Sequence, residues 1–260
     1  MRMMIFLTTQ PLWLSGAILV GLVTLVAMAG PVVVRRHVSL SRLSTNNEVA
    51  GFKFATVGVL YAVLLGFAVI VVWEKFSDAE HEVAQEAGAS ATIYRLSNGI
   101  STPASVEIHD ALSFYLRTAI AKDWPAMEHG HASAEATHAL NNLYTTTLRF
   151  RPADPRETVL LTEILHQLDI VGEARRDRLV MASGIVPGIV WLVLFGGATL
   201  TIGFTFFFGT ENLRAQTIMT GMLSVLILSA LLTIVAIDHP FAGTVKVGPE
   251  AISGVLEDFG

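Results

Sequence analysis

Four segments of this chain contain no charged residue and no histidine, and each is long enough to cross a lipid bilayer. A helix of about 20 residues spans the roughly 30 Å hydrocarbon core, because each residue adds ~1.5 Å. The segments are 24, 20, 26 and 23 residues long, and they run Pro11–Val34, Phe54–Trp73, Gly184–Gly209 and Ala215–Ile237. The sequence therefore predicts an integral membrane protein with four membrane-spanning helices.

The charged residues are concentrated between the second and third of these segments. Residues 74–183 hold 16 Asp and Glu and 10 Lys and Arg, out of 22 and 17 in the whole chain. Neither internal repeats nor an alternating strand pattern is evident, so the predicted fold is all-α. We expect transmembrane helices 1 and 2 in residues 1–73 and a soluble helical domain in 74–183. Transmembrane helices 3 and 4 follow in 184–237, and a polar C-terminal tail in 238–260.

Helical periodicity organises the predicted soluble domain. Nothing breaks the helix after Trp73, and an apolar or small stripe continues to Tyr94, so helix 2 is predicted to leave the membrane as a long amphipathic stalk. We expect this stripe to be buried. Three more helices are predicted, starting at the Ser101-Thr102-Pro103 cap, near Ser133 and at Arg156. The stalk stripe consists of Phe76, Ala79, Val83, Ala87, Ala91 and Tyr94.

Composition and motifs exclude several classes of function. The net charge of −5 gives no basic footprint for nucleic acid, and the absence of cysteine excludes disulfides and thiolate chemistry. No phosphate-binding loop, zinc-protease motif or nucleophile elbow is present, so we expect neither an enzyme nor a cofactor. His129, His131 and His138 are an alternative metal site, but three histidines without a fixed ligand geometry are more often surface residues in a loop between helices, so no metal is predicted.

The second membrane segment carries a candidate pore face. Ala55, Val59 and Val63 recur at four-residue spacing, and an apolar ring of such residues gates a channel by dewetting. Lipid contact or helix packing explains the same pattern. No ionisable residue lies at mid-membrane, which disfavours a proton-coupled transporter and leaves a pore open.

Residues at the helix ends indicate membrane interfaces, but they do not decide orientation. Trp73 and Glu74 are typical of an interfacial anchor. The Arg175–Arg178 run is typical of a basic cluster that faces lipid headgroups. The loop between helices 1 and 2, with Arg214, holds five membrane-proximal Lys and Arg, and the opposite side holds six, including Arg2. The positive-inside rule is therefore balanced. A cleaved signal peptide at Ala27-Met28-Ala29 is an alternative for the N-terminus, although the apolar run is long for one.

Two motifs resemble bestrophins. Leu64-Leu65-Gly66-Phe67 through Val72-Trp73-Glu74-Lys75 is similar to the end of the second bestrophin membrane helix. The segment Asp238-His239-Pro240-Phe241-Ala242-Gly243 is similar to the Asn-Pro-Phe-Gly motif after the last one. From Asn46-Asn47-Glu48 onward, the whole chain resembles an uncharacterised bacterial family described as bestrophin-like.

This resemblance implies an ion channel in the bacterial inner membrane. It implies a homo-oligomer, pentameric as in bestrophins, with a pore lined by helix 2 at Ala55, Val59 and Val63 and with a cytosolic helical domain. Its partners are then the lipid bilayer and inorganic ions. The helix-end motif residues are Trp73, Glu74, Asp238, Pro240 and Phe241. Thr244-Val245-Lys246-Val247 replaces the acidic run that helps animal bestrophins bind calcium, so calcium gating is not expected. The alternative is a non-conducting scaffold or sensor whose helical domain binds a partner.

Overall fold

The computed structural model describes residues 12–45 and 47–259, except the side chain of Leu12. Arg2, Asn46 and the predicted start of helix 1 at Pro11 lie outside the described residues. The described residues form helices joined by turns and loops and contain no strand, which confirms the predicted all-α class.

Nine helices follow one another along the described chain. Helix α1 has three parts, Leu12–Gly16, a π-helical stretch Ala17–Leu22, and Val23–His37. Helix α4 begins as Ala104–Thr118 and continues through a π-helical stretch Ala119–Asp123 into Trp124–Met127. The others are α2 Leu40–Ser44, α3 Asn47–Ser97, α5 Ala134–Arg149, α6 Pro155–Met181, α7 Gly188–Phe204 with a 3₁₀ turn Thr205–Phe207, α8 Leu213–Ile237 and α9 Glu250–Asp258.

The four predicted membrane-spanning helices are present among the described residues. By length and apolar composition, the helices that could cross a membrane are Trp13–His37, Asn47–Ser97, Gly188–Phe207 and Leu213–Ile237. The second of these and the predicted stalk are one uninterrupted helix of 51 residues, as the absence of a helix breaker after Trp73 predicted.

The chain divides into two compact units. The first contains the chain up to Glu74 together with Ile185–Asp238. Within it, α1 packs against α8, and α7 packs against α8. The second contains Lys75–Gly184 together with His239–Gly260, so the C-terminal residues fold with the polar helices. In that unit α5 packs on α4, and α9 also contacts α4.

The second unit has a helical core that follows most of the predicted stripes. The Ser133 hydroxyl caps α5 by accepting a hydrogen bond from the Ala136 amide (3.2 Å). The Asp154 carboxylate caps α6 by accepting a hydrogen bond from the Glu157 amide (2.8 Å). Along the stalk, the stripe is buried from Phe76 to Ala87, whereas Ala91 and Tyr94 are half-buried. Beyond Ala87 the buried face passes instead through Ser90 and Ile93, one position over, as the helix rotates by its 3.6-residue period.

The Arg175–Arg178 run was misread as a cluster facing lipid headgroups. Arg175 is 7% exposed and Arg178 is fully buried, and both pair with carboxylates inside the second unit. Only Arg176 and Asp177 of the run are exposed. The two buried arginines are therefore no longer counted as membrane-proximal charges under the positive-inside rule.

Candidate functional site

Helix α3 exposes its candidate pore face within the first unit. Val59 is 64% exposed and Val63 is 50% exposed, and Ala55 is exposed as well. The buried side chains of the same helix, Tyr61 and Leu65, lie roughly half a turn around the helix from this face. The candidate pore face is therefore directed away from the other helices of its own subunit.

Tyr61 fixes the rotation of α3. Its hydroxyl donates a hydrogen bond to the Leu194 carbonyl of α7 (2.9 Å). An apolar side chain at this position could not form this bond. Its ring lies on Gly197, where a Cβ atom would collide with the ring carbons. Glycine at 197 thus permits the close approach that this hydrogen bond needs.

The N-terminal end of α3 is tied to the loop between α7 and α8. The Asn47 side chain makes two hydrogen bonds to the backbone of Gly209, donating to its carbonyl (2.6 Å) and accepting from its amide (2.9 Å). Arg35, at the end of α1, donates to the Thr210 carbonyl (3.1 Å). The rings of Phe204 and Phe208 pack on Phe54. These contacts set the axial position of the candidate pore face.

The two parts of the helix-end motif after α8 differ in their contacts. Asp238 is buried, and its Oδ1 accepts hydrogen bonds from the amides of Ile185 (3.2 Å) and Val186 (2.8 Å), just before α7. It thereby joins the end of α8 to the start of α7 inside the first unit. At the end of the first unit's part of α3, Trp73 and Glu74 are exposed.

Pro240 and Phe241 belong to the core of the second unit. The Pro240 carbonyl accepts a hydrogen bond from the Val247 amide (2.7 Å), which closes the loop after the motif. Phe241 is fully buried and meets Trp124 edge to face, with ring centroids 6.3 Å apart. The Trp124 indole in turn donates to the Val247 carbonyl (3.2 Å). The loop that follows the motif, which ends at Val247, is therefore held by backbone hydrogen bonds and by Trp124.

A buried charge cluster lies beneath Trp124 and consists of Glu86, Asp123, Arg175 and Arg178. Arg178 donates from Nε to Glu86 Oε2 (2.8 Å) and from Nη2 to Glu86 Oε1 (3.1 Å), and its Nη2 lies 3.4 Å from Asp123. Arg175 makes a similar two-point contact with Asp123 (2.8 and 3.2 Å). Two carboxylates and two guanidinium groups balance, which is what burial of charge requires.

The surrounding polar groups complete the cluster. The Asp123 carboxylate accepts from the Ser133 amide (3.0 Å), and the Tyr115 hydroxyl donates to Glu86. Burial raises the pKa of Tyr115 well above its usual value, and the charge of Glu86 raises it further. Burial lowers the pKa of Arg178, but the charge and hydrogen bond of Glu86, together with Tyr115 and Asp123, outweigh it and raise that pKa. Tyr115 therefore stays protonated and Arg178 stays charged at neutral pH.

Arg178 also connects the charge cluster to the motif after α8. Its guanidinium carbon lies 4.5 Å from the centre of the Trp124 ring, a cation–π contact. Phe241, Trp124, Arg178 and Glu86 thus touch in sequence, from the Pro-Phe motif to the stalk. Sequence reasoning missed this cluster, although Glu86 lies three residues from buried Val83 and Ala89. Arg178 likewise lies four residues from buried Ala174 and Ala182.

A three-ring stack anchors the C-terminal helix α9. The Tyr94 ring lies between His109 and Phe259, with both centroid distances at 4.0 Å. The Tyr94 hydroxyl donates to the Phe259 carbonyl (3.0 Å). The tail, which looked merely polar in sequence, folds against the second unit through these contacts.

The alternative metal site at His129, His131 and His138 finds no support. Within residues 12–45 and 47–259, no three His, Asp or Glu side chains come together in a way that holds a metal ion.

Comparison with known proteins shows the family of this chain. A family profile described as the bestrophin-like domain matches residues 21–252, which is most of the chain. The chain belongs to the bestrophin-like family. No match is found among proteins with curated descriptions.

Solved structures with the same fold as this bestrophin-like chain include those of a bacterial bestrophin homologue from Klebsiella pneumoniae. A point variant superposes with a TM-score of 0.70 at 14% identity, covering 91% of this chain and 97% of the homologue. A second variant gives 0.69 at 15% identity, covering 91% and 95%. A third structure of the homologue gives 0.69 at 14% identity with the same coverage. At this identity the likeness establishes the fold alone.

In the bestrophin-like chain, the residues singled out in the sequence fall into two groups. Ala55, Val59 and Val63 share one exposed face of α3. Pro240 and Phe241 lie in the second unit with the charge cluster. The family match and the four apolar helices identify the chain as a membrane protein.

Proposed function

We propose that this protein is an oligomeric ion channel of the bacterial inner membrane, with a pore lined by α3. The observation that carries the proposal is the exposure of Ala55, Val59 and Val63 on the side of α3 opposite its buried contacts. In an assembly with α3 nearest the axis, this face meets the central passage. Family membership and the bestrophin fold support the same arrangement.

Val59 and Val63 then form the constriction. An apolar ring excludes water when it is narrow, so its conductance depends on both its radius and its polarity. The phenyl and indole rings nearby, at Phe67 and Trp73, lie closer to the other end of the membrane segment. The proposed partners are the bilayer, further copies of the chain (five, by resemblance to bestrophins) and inorganic ions. Neither a cofactor nor an enzymatic reaction is part of the proposal.

The second unit is proposed to be the soluble domain on the cytosolic side. This orientation rests on the bestrophin resemblance, because buried Arg175 and Arg178 no longer count as headgroup-facing charges.

Ion flux through reconstituted protein tests the channel. Purified wild type, Val63→Ser and Val59→Ser are placed in liposomes, and flux is followed by single-channel recording or a dye. We expect flux from the wild type and a severalfold increase for both variants, since Ser is smaller and polar. Leu25→Ser is the matched control, because Leu25 is 66% exposed but belongs to α1 and not to α3. It should leave flux unchanged.

A non-conducting scaffold or sensor is the second candidate. The observation that favours it is the purely apolar character of the exposed α3 face, which contacts lipid equally well. In that case the helical unit binds a partner, and the membrane helices anchor and oligomerise it. Absence of flux from all three proteins, with the oligomer intact, would reject the channel in favour of this function.

A further inference from the structure

A set of basic side chains surrounds one end of the first unit, where the apolar segments stop. Arg35 directly follows the first apolar segment, Lys53 directly precedes the second, and Arg214 directly precedes the fourth. Basic residues at such helix ends lie at the level of the lipid headgroups. We call this set the basic rim, and it consists of Arg35, Arg36, Arg42, Lys53 and Arg214.

Tertiary contacts around Gly209 bring the segments of the basic rim together. Asn47 and Arg35 both form hydrogen bonds to the backbone of the loop between α7 and α8. The backbone of Gly209 also packs directly on α2, because a Cβ atom at this position would collide with the backbone of Leu43 and Ser44. The end of α1, α2, the start of α3 and the loop before α8 therefore contribute to one surface of the first unit.

Most cations of the basic rim have no partner within the protein. Four of the five are exposed, and their side chains form no hydrogen bond or ion pair within residues 12–45 and 47–259. The same segments carry two carboxylates, Glu48 and Glu211, against five cations, which leaves an excess of three positive charges. A surface with such an excess attracts anions from outside the protein. The four unpaired cations are Arg36, Arg42, Lys53 and Arg214.

Basic residues beside the opposite ends of the apolar segments are used differently. Lys75 pairs with Asp78 (2.8 Å), and Arg175 and Arg178 are buried in ion pairs. The lack of protein partners is therefore not a general property of the cations that border the membrane segments of this chain. It distinguishes the basic rim.

Exposed apolar side chains lie one helical turn from two of the unpaired cations. Val49 is 57% exposed and lies four residues before Lys53 in α3. Val33 is 51% exposed and lies three residues before Arg36 in α1. Residues at these spacings share one face of a helix. An anionic phospholipid offers a phosphate to the cation and an acyl chain to the valine, whereas a soluble anion offers only the first.

We propose that the basic rim binds the phosphate headgroups of anionic phospholipids, such as phosphatidylglycerol, with their acyl chains against Val33 and Val49. The long side chains of Lys53 and the arginines place their charged ends among the headgroups while their aliphatic stems follow the apolar surface. A guanidinium group holds a phosphate through two parallel hydrogen bonds. This inference goes beyond the proposed channel, and it applies to either orientation of the chain in the membrane.

Competition for a fluorescent phosphatidylglycerol tests the proposal on the purified chain in detergent. Unlabelled phosphatidylglycerol should displace the probe at least tenfold better than phosphatidylcholine, which has the same acyl chains but no net charge. Glycerol 3-phosphate, which is an anion without acyl chains, should displace the probe only weakly. Equal displacement by phosphatidylcholine would reject recognition of charge. Equal displacement by glycerol 3-phosphate would identify a site for a soluble anion and overturn the lipid proposal.

Substitutions at the four unpaired cations locate the binding. Changing all four to glutamine should weaken phosphatidylglycerol binding by at least tenfold, because each cation near an anionic surface contributes roughly a fivefold gain. The matched control removes four exposed arginines of the second unit, and thus the same total charge, and should bind like the wild type. An equal loss in the control would show a general effect of net charge and overturn the proposal. The control substitutions are Arg149→Gln, Arg151→Gln, Arg156→Gln and Arg176→Gln.

The double variant Glu48→Gln with Glu211→Gln should have the opposite effect, which misfolding does not imitate. Removing both carboxylates increases the positive charge of the basic rim, so phosphatidylglycerol should bind severalfold more tightly. If this variant binds no more tightly than the wild type, or if the four-cation variant keeps wild-type affinity, the basic rim is not the lipid site. Flux is measured separately. Flux without a preference for phosphatidylglycerol would reject this inference alone, and the preference without flux would reject the channel alone.

Discussion

Neutralising one member of the buried charge cluster should destabilise the protein, and neutralising a second of opposite sign should restore much of the loss. Glu86→Gln leaves two guanidinium groups facing one carboxylate in a site from which water is excluded. Arg178→Met leaves the opposite imbalance. Removing one partner of a buried ion pair costs about 3–5 kcal/mol. For a chain of this size, that corresponds to a fall in Tm on the order of 10 °C.

The double variant Glu86→Gln with Arg178→Met retains Asp123 and Arg175, which balance each other through their two-point contact. The amide oxygen introduced by Glu86→Gln would still accept the Tyr115 hydrogen bond. We therefore expect the double variant to be more stable than the two single losses predict, with a coupling of about 2 kcal/mol or more. The assay is thermal unfolding in detergent, followed by circular dichroism. Arg176→Met is the control on the exposed side of the same helix, and it should change stability by less than about 0.5 kcal/mol. Strictly additive losses would refute the charge-balance argument.

Three further outcomes are expected. Phe241→Ala should cost about 3–5 kcal/mol, because it empties a fully buried site beside Trp124, and Phe241→Leu should cost much less in the same melting assay. Burial and the neighbouring Asp177 raise the pKa of Glu82. The charged form of Glu82 is thus disfavoured in the folded state, so Glu82→Gln should raise Tm at neutral pH. The difference in Tm from the wild type should disappear as the pH falls through the raised pKa, because Glu82 then becomes neutral. If the second unit is cytosolic, Ala132→Cys in intact cells should resist an impermeant maleimide that labels Ser41→Cys; the reverse pattern would place the unit outside.

Hydrophobic patterning in the sequence predicted the helices well. The membrane-spanning segments were recognisable because a helix that crosses the hydrocarbon core needs a long run of apolar residues. The α5 start followed from Ser133, which caps the helix by satisfying a free amide, and the α6 start was predicted at Arg156, one residue after its true start at Pro155. These features are local, so a single sequence reveals them. The resemblance at Val72–Lys75 and Asp238–Gly243 pointed to the family that the comparison then confirmed.

Charged residues were the main source of error, because their pairing is not local. Arg178 lies 92 positions from Glu86 and 55 from Asp123, so no spacing rule joins them. Read alone, three arginines beside a membrane segment resemble a headgroup cluster. Only the packing of α3, α4 and α6 makes two of them core residues.

The sequence by itself determined that this protein has four apolar helices, an all-α fold and one continuous helix from the second membrane segment into the polar domain. Each of these follows from local hydrophobicity and helix signals. Tertiary structure alone decided which side of α3 is covered, through the Tyr61 hydrogen bond to Leu194, and which sides stay open. It also decided that Phe241 and the C-terminal helix belong to the core of the second unit. Those outcomes depend on contacts between residues far apart in the chain, which no local pattern encodes.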